Sequence, residues 1–461
     1  MDGLEAIEIN FSVCKNIIDF RIDASTYKKD YVRTDKILKA MNHATIEDKM
    51  VSIQNFGAYS LCNYITFTEE GIPFLMTQNV RHNYIDWSNL RYIDDESHLM
   101  LHKSHCKRNQ VLVTMAGEYL GRVAVYDKEF VCSSNQAIAK ITLKNGVSPY
   151  CVATFLNSKY GQNQINRFKT ITGQPNINMA LIKSLLVPEF SEDLSQVIED
   201  IVVKANERFI ESRRMYEEAE QLLIQELGFG DYIEPKEVYS TKSFSESFGT
   251  SGRLDAEYYQ KKYDDYEALI KSYGKYTTIE DEFELVKDKC LFDKDVYNYT
   301  EIGDISVGNG KFSYTAIVTD ELPANAKTPV KVGDVLVSKV RPNRGAVSII
   351  DSEVDNHIVS GAFTVLRAKG SYNKELLFVL LRTHIYKDWL LKYNVGTSYP
   401  TIKDEDVMQV KIPILPEAMQ LKILNYVESS NNLIDEAHGL LAKATQMVEM
   451  AIEYGEAEAL K

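Results

Sequence analysis

The chain has 461 residues, 44% of them apolar, with a formal charge of −14 and six cysteines, and that length suits two domains that each bury a core. The cysteines lie far apart with no CxxC pair, which excludes a zinc ribbon and a disulfide framework and fits free thiols in a reducing cytoplasm. No apolar run approaches the roughly 18 residues of a membrane helix, and Met1-Asp2-Gly3-Leu4-Glu5 lacks a basic region followed by an apolar core, so a cytoplasmic protein with no membrane partner is expected.

From the amino end, the first distinctive pattern is Arg21-Ile22-Asp23-Ala24-Ser25-Thr26-Tyr27-Lys28-Lys29-Asp30-Tyr31. Gln78, Asn79, Arg81 and His82 follow, side chains able to bond base edges and phosphates, although Asn and Gln also build turns. His98, His102, His105 and Cys106 crowd one stretch and have the atoms for a metal site. The neighbouring Lys103, Lys107 and Arg108 suit a solvated, phosphate-facing loop instead, and no metal is assigned. Val111–Thr114 and Val123–Tyr126 read as strands, joined by the weakly basic loop Ala116-Gly117-Glu118-Tyr119-Leu120-Gly121-Arg122, in which Tyr119 and Arg122 are candidate binding residues. Gly173-Gln174-Pro175-Asn176-Ile177 then leads to Leu185-Leu186-Val187-Pro188.

A helix is predicted from about Leu194 to Glu226, with Leu194, Ile198, Ile201, Ala205, Arg208, Ser212, Met215, Ala219 and Leu222 in heptad steps that Arg208 and Ser212 interrupt. Gly228 is a plausible stop, and residues 229–252, rich in Ser and Thr, read as a linker. Arg253-Leu254-Asp255-Ala256-Glu257-Tyr258-Tyr259-Gln260-Lys261-Lys262-Tyr263 then repeats the opening pattern 232 residues later. Gly333-Asp334-Val335-Leu336-Val337-Ser338-Lys339 and Val347–Ile350 repeat the paired strands, and Pro400-Thr401-Ile402 with Ile412-Pro413 repeats Pro175-Asn176-Ile177 with Val187-Pro188, at offsets of 224 and 225. Three matches in order mean a duplicated domain. In the second copy, Lys339-Val340-Arg341-Pro342-Asn343-Arg344-Gly345 projects Lys339, Arg341, Asn343 and Arg344, while Ser398 and Tyr399 sit beside the Pro-x-Ile segment. A second seam, Ile423, Val427, Ser430, Ile434, Ala437, Leu441, Ala444, Val448 and Ala451, closes the chain.

The charge is uneven: residues 195–230 hold eight acids against four bases and residues 416–461 eight against three, so the acid sits on the two helices. Each copy keeps a basic segment at the matching place, which restores nucleic acid as a partner despite the net charge. Catalytic motifs are missing: Gly308-Asn309-Gly310-Lys311 has the wrong spacing for a phosphate loop, and neither a Rossmann fingerprint nor an amino-methyltransferase N-P-P-[YF] or D-P-P-Y segment occurs. No catalytic residue and no cofactor are assigned.

The paired Arg-x-Asp-Ala patterns, Gly333–Lys339, and Gly173–Ile177 leading to Val187-Pro188 resemble the DNA specificity (S) subunit of type I restriction-modification systems, over most of the chain. The resemblance implies an α+β (mixed α/β) protein in which two similar target recognition domains, residues 1–190 and 253–415, alternate with two long helices, 191–228 and 416–461, that pack as a coiled-coil spacer. It implies a non-catalytic chain that reads a bipartite, asymmetric site on double-stranded DNA, one half-site per domain, while its helices hold two methyltransferase subunits and restriction/translocase subunits join. A helix of about 50 Å, at ~1.5 Å per residue, would set half-sites roughly one turn apart on one face of the duplex. Two other readings stay open: an S-like chain of a type II restriction-modification enzyme, and a duplicated adaptor that binds proteins.

Overall fold

The computed structural model describes residues 7–15, 17, 20–57, 59–170, 173–234, 240–395 and 399–461. The chain divides into two units, one formed by Met1–Ile210 with Ile434–Lys461 and the other by Glu211–Leu433. Both are mixed helix and sheet.

In the first unit, a four-stranded antiparallel sheet runs in the order Met50–Gln54, Ile138–Leu143, Gln110–Thr114, Val123–Tyr126. Alternation along these strands sorts their side chains onto two faces. Val111, Val113, Val123, Val125, Ala139 and Ile141 face a core shared with the helical hairpin Pro149–Asn157 and Lys159–Phe168, while Leu112, Ala124, Tyr126 and Ile138 face Leu75, Val80 and Cys132. A second sheet orders Phe67–Thr68, Arg91–Ile93, Ile72–Leu75 and Ser133–Ser134, the last two parallel. His43–Thr45 pairs with Leu186–Pro188, and a Thr45/Asp48 capping box then starts the short helix Ile46–Lys49.

The second unit repeats the first sheet strand by strand, while its second sheet keeps the parallel pair but places it at the centre rather than at the edge. Its first sheet runs Phe283–Leu285, Phe363–Ala368, Val335–Ser338, Val347–Ile349, and its second Thr315–Val318, Val296–Thr300, His357–Ser360, Ala326–Pro329, again with one parallel pair. The hairpin is Lys374–Arg382 and His384–Leu391, the two-stranded ribbon Tyr276–Thr278 with Lys411–Pro413, and the capping box Thr278/Asp281. The predicted strands Val111–Thr114, Val123–Tyr126 and Val347–Ile350 all fall on strands of these sheets.

The repeated Arg-x-Asp signature has a structural cause. Arg21 grips Asp23 with two nitrogens and donates its third to Phe168 O and Lys169 O at 3.2 and 2.8 Å, so it caps the carboxyl end of the hairpin helix. Arg253 does the same to Asp255, Tyr393 O and Asn394 O. The tyrosine of each motif returns a bond to the arginine carbonyl: Tyr27 to Arg21 O and Tyr259 to Arg253 O. The Arg21 guanidinium holds the Asp23 carboxyl well below the ordinary carboxylate range.

Two long helices, Glu192–Glu226 and Glu417–Tyr454, pair in both units. In the first, Leu194, Ile198, Val202 and Ala205 share a core with Ala437, Leu441, Ala444, Val448 and Ala451, and Arg208 pairs with Glu436 at 3.0 Å. In the second, Ala219, Leu223 and Leu227 share a core with Ile423 and Val427, and buried Ser212 and Ser430 are joined hydroxyl to hydroxyl at 2.9 Å. The start of one helix therefore lies against the end of the other, an antiparallel pairing. The segment read as a linker contains two short helical turns: Phe229–Asp231 is a 3-10 turn with Phe229 buried against Tyr266, and Phe248–Ser251 is one helical turn; residues 235–239 lie outside the described residues.

Candidate nucleic-acid interface

In the second unit, strand Val335–Ser338 runs into the loop Lys339–Gly345, which is zipped to Pro400-Thr401-Ile402. Arg341 N donates to Pro400 O at 2.7 Å and Ile402 N to Lys339 O at 3.0 Å, around a bridge between Val340 and Thr401. Arg341 itself takes a left-handed φ of 51°, uncommon outside glycine and retained here by those bonds. Its guanidinium lies 4.2 Å over the ring of Tyr399, which is exposed. Pro342 opens the turn Pro342–Arg344, with Asn343 and Arg344 exposed on it, and Gly345 closes it at φ 73°. Lys339 behaves otherwise: its Nζ is 2.9 Å from the Asp404 carboxylate, which also accepts from Thr364 Oγ1, so its charge is answered within the unit. Ser398 lies outside the described residues.

The first unit builds the same crossing with other residues. Gly117 N donates to Pro175 O at 3.0 Å and Ile177 N to Met115 O at 2.9 Å, around a bridge between Ala116 and Asn176. Gly117, at φ 84°, stands where a Cβ would come within 3.0 Å of the Gln174 amide, so a bare backbone suits the crossing. The Arg122 guanidinium lies 4.4 Å over the Tyr119 ring. Burial, then the charge of Arg81, lowers the Arg122 pKa from its ordinary value. Among the described residues, Arg81 Nε and Arg122 Nη1 are buried without a hydrogen-bond partner, and the Asp86 carboxylate stands 3.6 Å from Arg81. His82 is exposed, with Nδ1 2.9 Å from Asn157 Oδ1.

Asn79 is spent on its own turn. It is buried, its Nδ2 donates to Asp86 O and Asn89 O, and its Oδ1 accepts from Met76 N, so its amide cannot reach a base edge. Gln78, beside it on the turn Thr77–Asn79, is half-buried. The histidines are paired with each other: His98 and His105 stack at 3.8 Å, His98 Nδ1 meets Ser133 Oγ and His105 Nε2 meets His98 O, each at 2.8 Å. Among the described residues no group of three or more His, Cys, Asp or Glu is arranged to hold a metal. No helix among them is long and apolar enough to cross a membrane.

Sequence reasoning passed over the residues that hold these loops. Gln162 donates to Gly121 O at 2.8 Å in the first unit, and Arg382 reaches Gly345 O at 3.4 Å in the second. A signal for Arg382 was present, since it is the lone charge directly behind the buried run Leu376–Leu381.

Residues 274–446 match the family model described as the type I restriction modification DNA specificity domain. The type I restriction enzyme HindI specificity subunit of Haemophilus influenzae is 31% identical over 150 residues, 31% of this chain and 32% of that one, so the match spans about a third of the curated relative. Among solved structures, the type I restriction-modification S subunit of M. genitalium aligns at a TM-score of 0.37 with 14% identity, over 90% of this chain and 96% of the other. The HsdS subunit of Thermoanaerobacter tengcongensis aligns at 0.30 with 13% identity, over 90% and 97%. At those scores neither likeness adds to the fold described above. Residues 274–446 are thus similar to the DNA specificity domain of type I restriction-modification systems, and a stretch of 150 residues is similar to a specificity subunit of such a system, in agreement with the resemblance carried by the sequence motifs.

Proposed function

We propose that this chain is the DNA-reading subunit of a type I restriction-modification complex and performs no catalysis itself. Residues 1–190 and 253–415 act as its two target recognition domains, each reading one half of a bipartite, asymmetric site on double-stranded DNA. Helices 191–228 and 416–461, with the connection 229–252 between the halves, hold two methyltransferase subunits, and restriction/translocase subunits complete the assembly. The observation that carries this reading is the loop crossing: both units build it with the same backbone bonds yet present different side chains. Two readers of one architecture and different chemistry are what an asymmetric site requires.

The second unit offers Arg341 on its Tyr399 platform with Asn343 and Arg344 beside it, a set suited to a guanine edge, an amide-reading base or a phosphate. The first offers Arg81, His82, Tyr119 and Arg122, with Gln78 nearby. There, two guanidinium groups lie close together, with only the Asp86 carboxylate paired to Arg81 among the described residues, a positive local charge that favours a phosphate nearby. Acid on the long helices keeps DNA from them and favours basic surfaces on protein partners.

The test is fluorescence anisotropy of cognate duplex bound by the full chain copurified with its methyltransferase. Arg341→Ala is expected to weaken cognate binding by about 1–3 kcal/mol and to relax one half-site, whereas a loss that only flattens the salt slope marks a phosphate contact. A copurified complex with no measurable preference for any duplex would overturn the reading in favour of a protein-binding adaptor.

A further inference from the structure

Arg382 ends a helix of buried apolar residues and is itself 6% exposed, yet no carboxylate among the described residues forms an ion pair with it. Its donors go instead to neutral oxygens on three separate elements. Nε donates to the Tyr216 hydroxyl of the long helix Glu192–Glu226, the central helix of the chain, at 2.8 Å, Nη2 to Val307 O and Gly308 O at 2.9 and 2.8 Å, and Nη1 to Gly345 O at 3.4 Å. The guanidinium also lies over the rings of Tyr216 and Phe378 at 5.1 and 4.9 Å. Burying a guanidinium whose hydrogen bonds all go to neutral oxygens is costly. What this one accomplishes is to tie the closing glycine of the Lys339–Gly345 loop, and the loop at Val307-Gly308, to the central helix.

The first unit handles the equivalent loop with a neutral group. Gln162 Nε2 donates to Gly121 O and to Leu156 O, both at 2.8 Å, so its bonds stay within the hairpin and its adjoining loop. The extension to the helix through a charged side chain belongs to the second unit.

We infer that Arg382 is a positioning residue for DNA reading: by clamping Gly345 and Val307-Gly308 to Tyr216, it presents the Pro342–Arg344 turn to duplex DNA in one pose, set by the central helix. This rests on the DNA-reading function proposed above.

The test uses the full chain with its methyltransferase, with Arg382→Met and Tyr216→Phe as variants and two readouts. In hydrogen exchange, the amides of Arg344 and Gly345, which bond Arg341 O and Pro342 O, are expected to exchange about tenfold faster in Arg382→Met, with strand Val335–Ser338 unchanged. In adenine-methylation mapping, one half of the split motif is expected to become degenerate while the other half and the gap stay fixed, a selective change that general destabilisation would not produce. Tyr216→Phe keeps the three carbonyl bonds and the ring and removes only the hydroxyl, so it carries the test if Arg382→Met does not fold, with the same changes in smaller measure. Unchanged exchange, or faster exchange with an unchanged motif, overturns the inference, as does equal loss of both half-sites. If the unsubstituted chain directs no methylation, the functional reading fails first, and it is told apart by that control.

Discussion

Replacing Arg253 by alanine separates a structural signature from a DNA contact. The side chain donates to Tyr393 O and Asn394 O at 3.3 and 2.9 Å, forks onto Asp255 at 2.8 and 2.6 Å, and lies 4.6 Å over the Tyr258 ring. The shorter charged bond to a helix-end carbonyl contributes about 1.5 kcal/mol and the longer one less. The Asp255 pair, 22% and 44% exposed, adds under about 1 kcal/mol, and the ring about 0.5 kcal/mol. The expected loss is therefore about 3 kcal/mol, or a fall of roughly 6–12 °C in the melting of the second unit, at about 2–4 °C per kcal/mol for a body of this size. Arg21→Ala should do the same to the first unit. Scanning calorimetry of the purified complex measures the shift, and anisotropy at three salt concentrations measures the DNA slope, which should not move. A normal melting temperature with a shallower slope would refute the clamp and make the repeated arginine a phosphate contact.

Other consequences follow from single side chains. Gly310 has φ 73°, and a Cβ there would sit 2.3 Å from the Phe378 ring, so Gly310→Ala should cost about 2–3 kcal/mol, whereas Gly146→Ala, with open space around it, should cost about 1 kcal/mol; urea midpoints compare them. Buried His357 bonds Thr300 Oγ1 with Nε2, and burial pushes its pKa down to about 4 from 6.5. The unfolded chain takes up this proton below pH 6.5 and the folded chain only near 4, so the contribution is complete above 6.5 and lost as pH falls through that window. Between pH 7.5 and 5 the second unit should lose up to about 2 kcal/mol, reduced by whatever solvent screening the ring retains, and His357→Gln should remove the dependence in urea titrations. Ser212→Ala or Ser430→Ala alone should cost about 1–2 kcal/mol by stranding the other hydroxyl, while the double substitution should cost less than the two together, which a double-mutant cycle in calorimetry reads.

The C-terminal seam was legible because each of its nine positions, Ile423 to Ala451, is buried as its heptad step predicts. The central one was legible only in part: Val202 and Leu223 are buried where Ile201 and Leu222 were expected, since a straight helix drifts against a strict heptad and both neighbours of each core site are apolar. Arg208 marks no break, being placed at the edge of the pair against Glu436. Strands carrying Val and Leu on both faces announced the sheets, and the repeat announced two units. The site was harder because its side chains are committed by partners distant in sequence. Nothing near Lys339 indicates that Asp404 will neutralise it, and Asn79 looks like a reader until the carbonyls of Asp86 and Asn89 take its amide. The Arg-x-Asp repeat, the clearest sequence signal, proved to cap helices at Phe168-Lys169 and Tyr393-Asn394 rather than to face the loops.

The most direct measurement is adenine-methylation mapping by long-read sequencing of DNA from cells that express this chain with its neighbouring methyltransferase, against cells lacking the chain. The account predicts a split motif with a fixed gap that disappears when the chain is removed. A methylome that does not change would contradict it.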